Sequence, residues 1–240
     1  MRQVFILITA IMLLGCSDNC ITRYAFSNST EDIPIIPIDF SESEEAIRHR
    51  IEDQFAEELY EKCDWVEFKL PMKFGDREGH LKVKTDYGYP ICENCGVPIK
   101  LNYNFRISIN KHDMVLAKTR ITSVDSLSFE IVEYFQNVGN PLGHYPERFN
   151  QVIFSLAWDK GTNERTIMNV LREISEGHLE FVESMLMRDG DDFCSKSSSE
   201  LNSLKDEYPL NIELDLGKQD KIYAPLREKS ERMKELENKE

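Results

Sequence analysis

The sequence predicts an α/β (α+β) fold, a two-layer sandwich in which a small mixed sheet packs on helices. Residues 152–158 form an apolar run of β-branched and aromatic side chains, which is typical of a buried strand. After a turn at residues 159–163, apolar positions recur at helical spacing through residues 164–187. Residues 101–110 alternate apolar and polar side chains, as a half-buried strand does.

The amino-terminal residues predict an exported lipoprotein. An uncharged apolar run at residues 4–14 ends in a Leu-Leu-Gly-Cys sequence that is typical of a bacterial lipobox. The run is shorter than the ~20 apolar residues that a membrane span requires. We therefore expect residues 1–15 to be a signal peptide and Cys16 to carry the lipid. The protein would then be anchored in the bacterial cell envelope, facing the periplasm or in the outer membrane, and Ser17 after the cysteine favours the outer membrane.

The charge balance excludes one class of partner. Acidic side chains number 43 and basic side chains 29 among 240 residues, which gives a net charge of −14. A nucleic-acid-binding protein needs a basic surface to neutralise phosphates, so we expect no nucleic-acid partner. The length suits one domain with extensions, because domains commonly contain ~100–200 residues.

Composition shifts along the chain predict five regions. They are a signal peptide at 1–15, a tether at 16–40, an extension at 41–100, a domain at 101–224 and a charged tail at 225–240. In the tether, residues 33–38 consist of isoleucine and proline and are expected to be extended, because proline disfavours helix in the residue before it. Their isoleucines would pack on the domain as an edge segment or enter a partner's groove.

The extension begins with a helix. Ser41 and Glu44 fit a capping box, and apolar positions then repeat at steps of four. Those positions are Ile47, Ile51, Phe55, Leu59 and Cys63. This apolar face is expected to pack on the sheet, with a dimer or partner interface as the alternative. A strand at 65–70, stopped by Pro71, and a short strand at 81–84 follow.

A C-x-x-C pair, Cys92 and Cys95, follows these strands. In an exported protein we expect it to form a disulfide, within the pair or with Cys63 or Cys194. A zinc site and a redox-active dithiol are the alternatives. Zinc usually needs two such pairs, and here the other ligands would be Cys63, His80 and His112. We therefore expect no metal and no cofactor.

The domain is predicted to contain further strands and helices. The strands are expected at 103–109, 114–116, 152–158 and 212–216, and the helices at 124–138 and 164–187. Thr162 or Asn163 would cap the last helix, and Gly190 would stop it. That helix carries a second apolar line, which would belong either to the core or to a surface for pairing with a second copy of the chain. Its members are Met168, Leu179, Val182 and Leu186.

The turn after the central strand carries the sequence Asp159-Lys160-Gly161-Thr162, and Tyr208-Pro209 follows further along the chain. Residues 101–213, roughly half the chain, resemble the ExbD/TolR family of biopolymer-transport proteins. In a long-tailed form of that family a strand ends in Asp-Arg-Gly-Thr, a helix follows, and a Tyr-Pro segment comes later. Asp159, Gly161 and Thr162 occupy the turn of this motif. The order strand–strand–helix–strand–helix is also similar to that of the family's soluble domain.

The resemblance implies a binding domain that dimerises and contacts an envelope protein or peptidoglycan. Family members normally begin with a transmembrane helix whose aspartate serves proton-driven motion, but residues 4–15 contain no acidic residue. We therefore expect a lipid-anchored accessory to envelope energy transduction or transport that translocates no protons itself. The alternatives are a structural envelope lipoprotein unrelated to transport and a C-x-x-C thiol protein. Because no catalytic motif is recognisable, we expect no enzyme and assign no catalytic residue.

Overall fold

The computed structural model describes residue 24 and residues 33–61, 66–74, 77–85, 104–140 and 145–216. The strands of this part are β1 (Val66–Phe74), β2 (Arg77–Thr85), β3 (Asn104–Ile109), β4 (Val115–Ala117), β5 (Arg120–Thr122), β6 (Ile153–Trp158) and β7 (Ile212–Leu214). Its α-helices are α1 (Glu44–Glu61), α2 (Leu127–Gln136), α3 (Glu164–Arg188) and α4 (Ser198–Glu207). Short 3-10 turns, Val124–Ser126 and Phe149–Gln151, precede α2 and β6.

The strands form one mixed sheet in the order β1-β2-β7-β6-β3-β4-β5. The four strands β2, β7, β6 and β3 are mutually parallel. Antiparallel strands extend the sheet on both sides, with β1 beside β2 and the β4–β5 hairpin beside β3. The prediction of a mixed α/β fold is thus confirmed. The sheet has seven strands because β1 and β2 join the strands of residues 104–214 through the β2–β7 pairing.

One face of the sheet, the first face, is apolar and is covered by helices. Its central side chains are Phe105, Ile107, Ile109, Phe154, Leu156 and Trp158, and all are buried. On α2, the Phe135 ring lies 5.5 Å from the Phe154 ring and stacks at 4.8 Å on Phe181 of α3. Buried side chains of α1 and α4 belong to the same apolar core. The opposite face, the second face, carries the alternate side chains, including Lys84, Arg106, Ser108, Ser155, Ala157 and Glu213.

A glycine allows α2 and α3 to approach closely. A β-carbon on Gly177 of α3 would lie 2.7 Å from the carbonyl oxygen of Ser128 and 3.0 Å from the β-carbon of Ile131. Both distances are shorter than ordinary van der Waals contact, so only glycine fits without displacing α2. The close approach places α2 and α3 side by side over β3 and β6.

The second apolar line of α3 lies in the core. Val182 and Leu186 are buried, and Met168 and Leu179 are partly buried against the same cluster. Both apolar lines of the helix are therefore used within one copy of the chain. The helix face proposed from sequence as a pairing surface is not available for that purpose.

The proline–isoleucine segment packs on the outer edge of β1, as one of the two sequence-based interpretations predicted. The N–H of Ile36 donates to the carbonyl oxygen of Lys69 at 3.0 Å, and the N–H of Lys69 donates to that of Pro34 at 2.8 Å. Ile36 and Ile38 are buried, whereas Ile35 is exposed. The segment covers an edge that would otherwise present unpaired backbone groups.

Helix α1 packs on the domain through Ile47, Ile51 and Phe55, as predicted, whereas the side chain of Leu59 and Cys63 lie outside the described residues. Its predicted cap is wrong. The hydroxyl of Ser43 accepts the N–H of Ala46 at 3.2 Å, and Ser41 instead donates to Asp39. Ser43, which directly precedes the helix, therefore caps α1, and Ser41 does not.

Strand β1 continues past Pro71 to Phe74, so the predicted stop at this proline is also wrong. Pro71 pairs with His80 of β2 and lies in the outermost named strand, where the missing N–H breaks no bond to a neighbouring strand.

Within residues 33–216, apart from the gaps given above, no helix is long and apolar enough to cross a bilayer.

Candidate functional site

The candidate site lies at the carboxyl ends of the parallel strands. Because β3, β6 and β7 are parallel, the residues that follow them meet at one edge of the sheet. Those residues are Asn110, Asp159 and Asp215, and all three are buried. In open α/β sheets this edge is the usual position for ligand binding.

The turn that carries the family-like motif ties β6 to β3. The N–H of Asp159 donates to the carbonyl oxygen of Ile109 at 2.8 Å, and the N–H of Thr162 donates to that of Asp159 at 3.0 Å. Gly161 has a φ of 90°, in the left-handed region that favours glycine. The hydroxyl of buried Thr162 lies 3.5 Å from the carbonyl oxygen of Ile109. Asp159, Gly161 and Thr162 therefore each have a structural role in this turn.

The loop between β3 and β4 is organised by Asn110. Its Oδ1 accepts the N–H of His112 at 2.9 Å and the N–H of Met114 at 3.0 Å. Asp113 adopts a φ of 60°, which aspartate tolerates better than most residues. His112 and Asp113 are thus turn residues between the two strands.

The same loop is joined to the amino terminus of α3. Asn163 caps this helix, since its side chain accepts the N–H of Arg165 at 2.9 Å. In turn, Asp113 Oδ1 accepts the N–H of Asn163 at 3.2 Å. A carboxylate at this position is stabilised by the positive end of the helix dipole. The β3–β4 loop and the β6–α3 turn thus form one connected edge.

On the other side of this edge, β7 is tied to its neighbours. The N–H of Asp215 donates to the carbonyl oxygen of Leu156 at 2.8 Å. The guanidinium of Arg48, from α1, donates to the carbonyl oxygen of Leu216. Among the residues that the structure describes, no three His, Cys, Asp or Glu side chains come together as metal ligands would. The loops at this edge are therefore held together by hydrogen bonds within the chain.

A second cluster lies at the opposite end of α3, around Tyr24. The Tyr24 ring lies 4.8 Å from that of Phe193 and stacks at 6.3 Å on His178. The amine of Lys205 lies 5.7 Å above the same ring. Tyr24 comes from the region predicted to be a tether, and no local signal in the sequence indicated that it would be buried.

The pKa of His178, the histidine of this cluster, is strongly shifted. Its Nε2 donates to the carbonyl oxygen of Tyr208 at 2.9 Å. Burial lowers the pKa of His178 to about 4, although this hydrogen bond opposes the shift. The side chain is therefore neutral at pH 7.

The cysteines predicted to carry chemistry are placed as follows. Cys194, next to Phe193, is disulfide-bonded, and because it is the one cysteine within the described residues its partner lies outside them. Cys16, Cys92 and Cys95 also lie outside the described residues. His80 on β2 and His112 after β3 are separated by β7 and β6 in the sheet.

Compared with protein-family models, with curated proteins and with solved structures, the chain matches none.

Proposed function

We propose that this chain is a lipid-anchored protein of the bacterial envelope whose α/β domain, similar to ExbD/TolR, binds a partner without catalysis. It would serve envelope energy transduction or transport as an accessory and would translocate no protons itself. The observation that carries the proposal is the turn Asp159-Lys160-Gly161-Thr162, which lies between the central strand β6 and the long helix α3. That is where the resemblance requires it.

The order of elements supports the same proposal. The hairpin strands β3 and β4 precede α2, and β6 and α3 follow, as in the family's soluble domain. The Tyr208-Pro209 segment leads into β7, the last strand described. The disulfide of Cys194 supports export, because disulfides persist in oxidising compartments such as the periplasm.

The surface best suited to a partner is the outer edge of β5. In the described part of the chain, β5 pairs with β4 alone, so its far side offers backbone groups to an added strand. The hairpin is held in place, since the N–H of Lys118 donates to the carbonyl oxygen of Arg106 at 2.7 Å. The Lys118 amine also lies 4.5 Å above the Tyr134 ring and 5.0 Å above the Tyr145 ring. A rigid edge costs less conformational entropy on binding.

Crosslinking in intact cells tests the proposal. With p-benzoylphenylalanine in place of Arg120 on β5, we expect one discrete adduct, either a homodimer or a complex with an envelope component. The matched control places the same residue at Phe129 of α2, which is 70% exposed and away from the edge. No discrete adduct from β5, or the same adduct from both positions, would contradict the proposed binding surface.

The anchor is tested separately. Replacing Cys16 with Ala is expected to abolish fatty-acid labelling and to release the protein from membranes. Ser17→Ala, which leaves the cysteine in place, is the control and should keep the label. Unchanged labelling of the Cys16→Ala variant would overturn the anchor while leaving the domain's binding role to the crosslinking test.

A further inference from the structure

The strands at the β5 side of the sheet form a basic region of an acidic protein. Residues 104–122, which contain β3, β4 and β5, carry four basic side chains and one acidic side chain, whereas the whole chain has a net charge of −14. The basic residues are Arg106, Lys111, Lys118 and Arg120, and the acidic residue is Asp113. Asp113 accepts the N–H of Asn163 at the end of β4 that lies away from the β4–β5 turn. The one acidic residue of this segment therefore does not offset the charge of that turn.

The two cations at the turn are available to a ligand. Within the residues that the structure describes, neither Lys118 nor Arg120 forms an ion pair, and both are exposed. In contrast, Arg50, Lys82 and Lys196 are each paired with a carboxylate of the chain. A carboxylate from outside the chain can therefore reach the two turn cations without displacing an internal one.

Lys118 has an unusual backbone conformation, and its amine lies beside aromatic rings. Its φ is 54°, in the left-handed region where glycine and asparagine are preferred at hairpin turns. The amine lies 4.5 Å from the centroid of the Tyr134 ring, which belongs to α2 on the first face. Burial lowers the pKa of this amine, and no carboxylate of the described residues opposes the shift. A backbone conformation that lysine adopts at a cost is thus used to place an unpaired amine at the first face.

The outer edge of β5 offers the backbone groups of Ile121. Ala117 and Arg120 pair with each other and close the two-residue turn between β4 and β5. Hydrogen-bonded and non-hydrogen-bonded pairs alternate along an antiparallel ladder, so Ile121 and Leu116 form the next, non-hydrogen-bonded pair. The N–H and C=O of Ile121 therefore point away from β4, where an added strand can exchange two hydrogen bonds with them.

Side chains of two kinds alternate along this edge. Arg120 is paired with Ala117 and so lies on the first face, on the same side as the Lys118 amine. Ile121 lies on the second face, where it packs with Ala157. Successive side chains of an added strand would also alternate between the two faces, so that those on the first face lie near the cations and those on the second near Ile121. The edge therefore fits a strand in which acidic and apolar side chains alternate.

We propose that β5 binds an extended acidic segment of another protein, in which acidic and apolar side chains alternate. This inference rests on the binding surface proposed above and names the chemistry of its occupant. Two copies of the chain that paired through β5 would bring two basic edges together, and like charges on paired strands are destabilising. An anionic lipid surface would attract the same cations, but it would leave the outward backbone groups of Ile121 without strand partners.

Binding of synthetic peptides to the purified full chain tests the proposal. The probes are rhodamine-labelled peptides of equal length, namely a Val-Glu repeat, a Val-Lys repeat and a peptide of the Val-Glu composition arranged in two blocks. We expect fluorescence anisotropy to show that the Val-Glu repeat binds about tenfold more tightly than the other two, although the net charge of the chain favours the basic peptide. With p-benzoylphenylalanine in the Val-Glu repeat, the adducts should map to residues 118–122.

Variants of the chain assign the effect to the two cations. Lys118→Met keeps the length of the side chain and removes its charge, and it should weaken binding of the Val-Glu repeat about fivefold, as loss of one charge pair does. Arg120→Gln should have a similar effect. Lys73→Met is the matched control, because Lys73 is exposed on β1 at the opposite side of the sheet. Circular dichroism selects the folded variants.

Several results would overturn the proposal. They are no binding of the Val-Glu repeat, equal or tighter binding of either other peptide, adducts outside the hairpin, or equal affinity in the Lys118→Met, Arg120→Gln and Lys73→Met proteins. A Cys16→Ala chain that binds phosphatidylglycerol vesicles through Lys118, and binds no peptide, would assign the cations to a lipid surface instead.

Failure of this inference is distinguishable from failure of the proposed function. A discrete cellular adduct from position 120, together with no binding of the Val-Glu repeat, would overturn the acidic partner and keep the binding surface. Binding of the Val-Glu repeat at residues 118–122 without any cellular adduct would support the chemistry inferred for this edge and contradict the cellular role.

Discussion

At the scale of single residues, His178 couples the fold to pH. Its imidazole is buried between aromatic rings, and this burial favours the neutral form in the folded protein, although the hydrogen bond that it donates to Tyr208 opposes the shift. The pKa rises from about 4 in the folded protein to its ordinary value of 6.5 on unfolding. The unfolded chain therefore binds more protons below pH 6.5, and protonation favours unfolding.

We expect the contribution of this residue to stability to be complete above pH 6.5 and to be lost as the pH falls toward 4. The loss is limited to about 3 kcal/mol, because each pKa unit corresponds to ~1.4 kcal/mol. Urea unfolding at pH 5 and pH 7 measures it. His178→Gln, which keeps a donor, should reduce the pH dependence, whereas His49→Gln at an exposed position should keep it. Equal pH dependence in all three proteins would contradict the neutral, buried state.

Gly177 is a second residue whose effect can be predicted. In Gly177→Ala the added methyl group would press on the Ser128 carbonyl and the Ile131 side chain. We expect the free energy of unfolding to fall by about 1–3 kcal/mol, as overpacking usually costs. Thermal unfolding checks this, with Glu176→Ala at the neighbouring, less enclosed position as the control. A Gly177→Ala protein as stable as the control would show that α2 moves aside freely.

At the scale of elements, burial distinguishes two interpretations of the second apolar line of α3 that the sequence left open. The line belongs either to the core or to a surface for pairing with a second copy of the chain. Val182→Glu is expected to unfold the protein, because it places a charge in the core without a partner. Met187→Glu on the same helix should fold normally, since Met187 is 62% exposed. Near-ultraviolet circular dichroism and light scattering measure both outcomes. A folded, monomeric Val182→Glu protein would restore the helix as an interface.

Elements with strong periodicity were predictable, and short or composite ones were not. Strand β6 and helices α2 and α3 followed from apolar runs and helical spacing, because each buries one continuous face. Strand β5 was missed, since three residues show no periodicity. Helix α4 was missed although Ser197 and Glu200 form a reciprocal capping box, a signal that the sequence does contain.

The site was only partly accessible from sequence for a related reason. The turn from Asp159 to Thr162 was recognisable because its residues are contiguous. Its hydrogen bond to Ile109, and the bond from the following Asn163 to Asp113, depend on the parallel pairing of β3 with β6, which brings distant residues together. The burial of Tyr24 depends on contacts with α3 and on residues near Cys194, and no local pattern predicts such contacts.

At the scale of the whole molecule, the Cys194 disulfide closes a loop of the chain. We expect Cys194→Ser to lower the free energy of unfolding by about 2–4 kcal/mol, the range usual for natural disulfides. Urea unfolding with and without reductant measures this difference, and Ser195→Ala is the neighbouring control. A wild-type protein that is indifferent to reductant would show that this disulfide does not contribute to stability.

The docking of Tyr24 also sets a distance. Seven residues separate Tyr24 from Cys16, so a fully extended chain could span at most about 29 Å between a lipid on Cys16 and Tyr24. With the proposed lipid on Cys16, the end of the domain that holds Tyr24 and Phe193 would lie close to the bilayer. The loops after β3 and β6 would then be turned away from the lipid. A partner of those loops would have to approach from the aqueous side of the envelope, and a longer segment between residues 16 and 24 would let the domain stand farther from the bilayer.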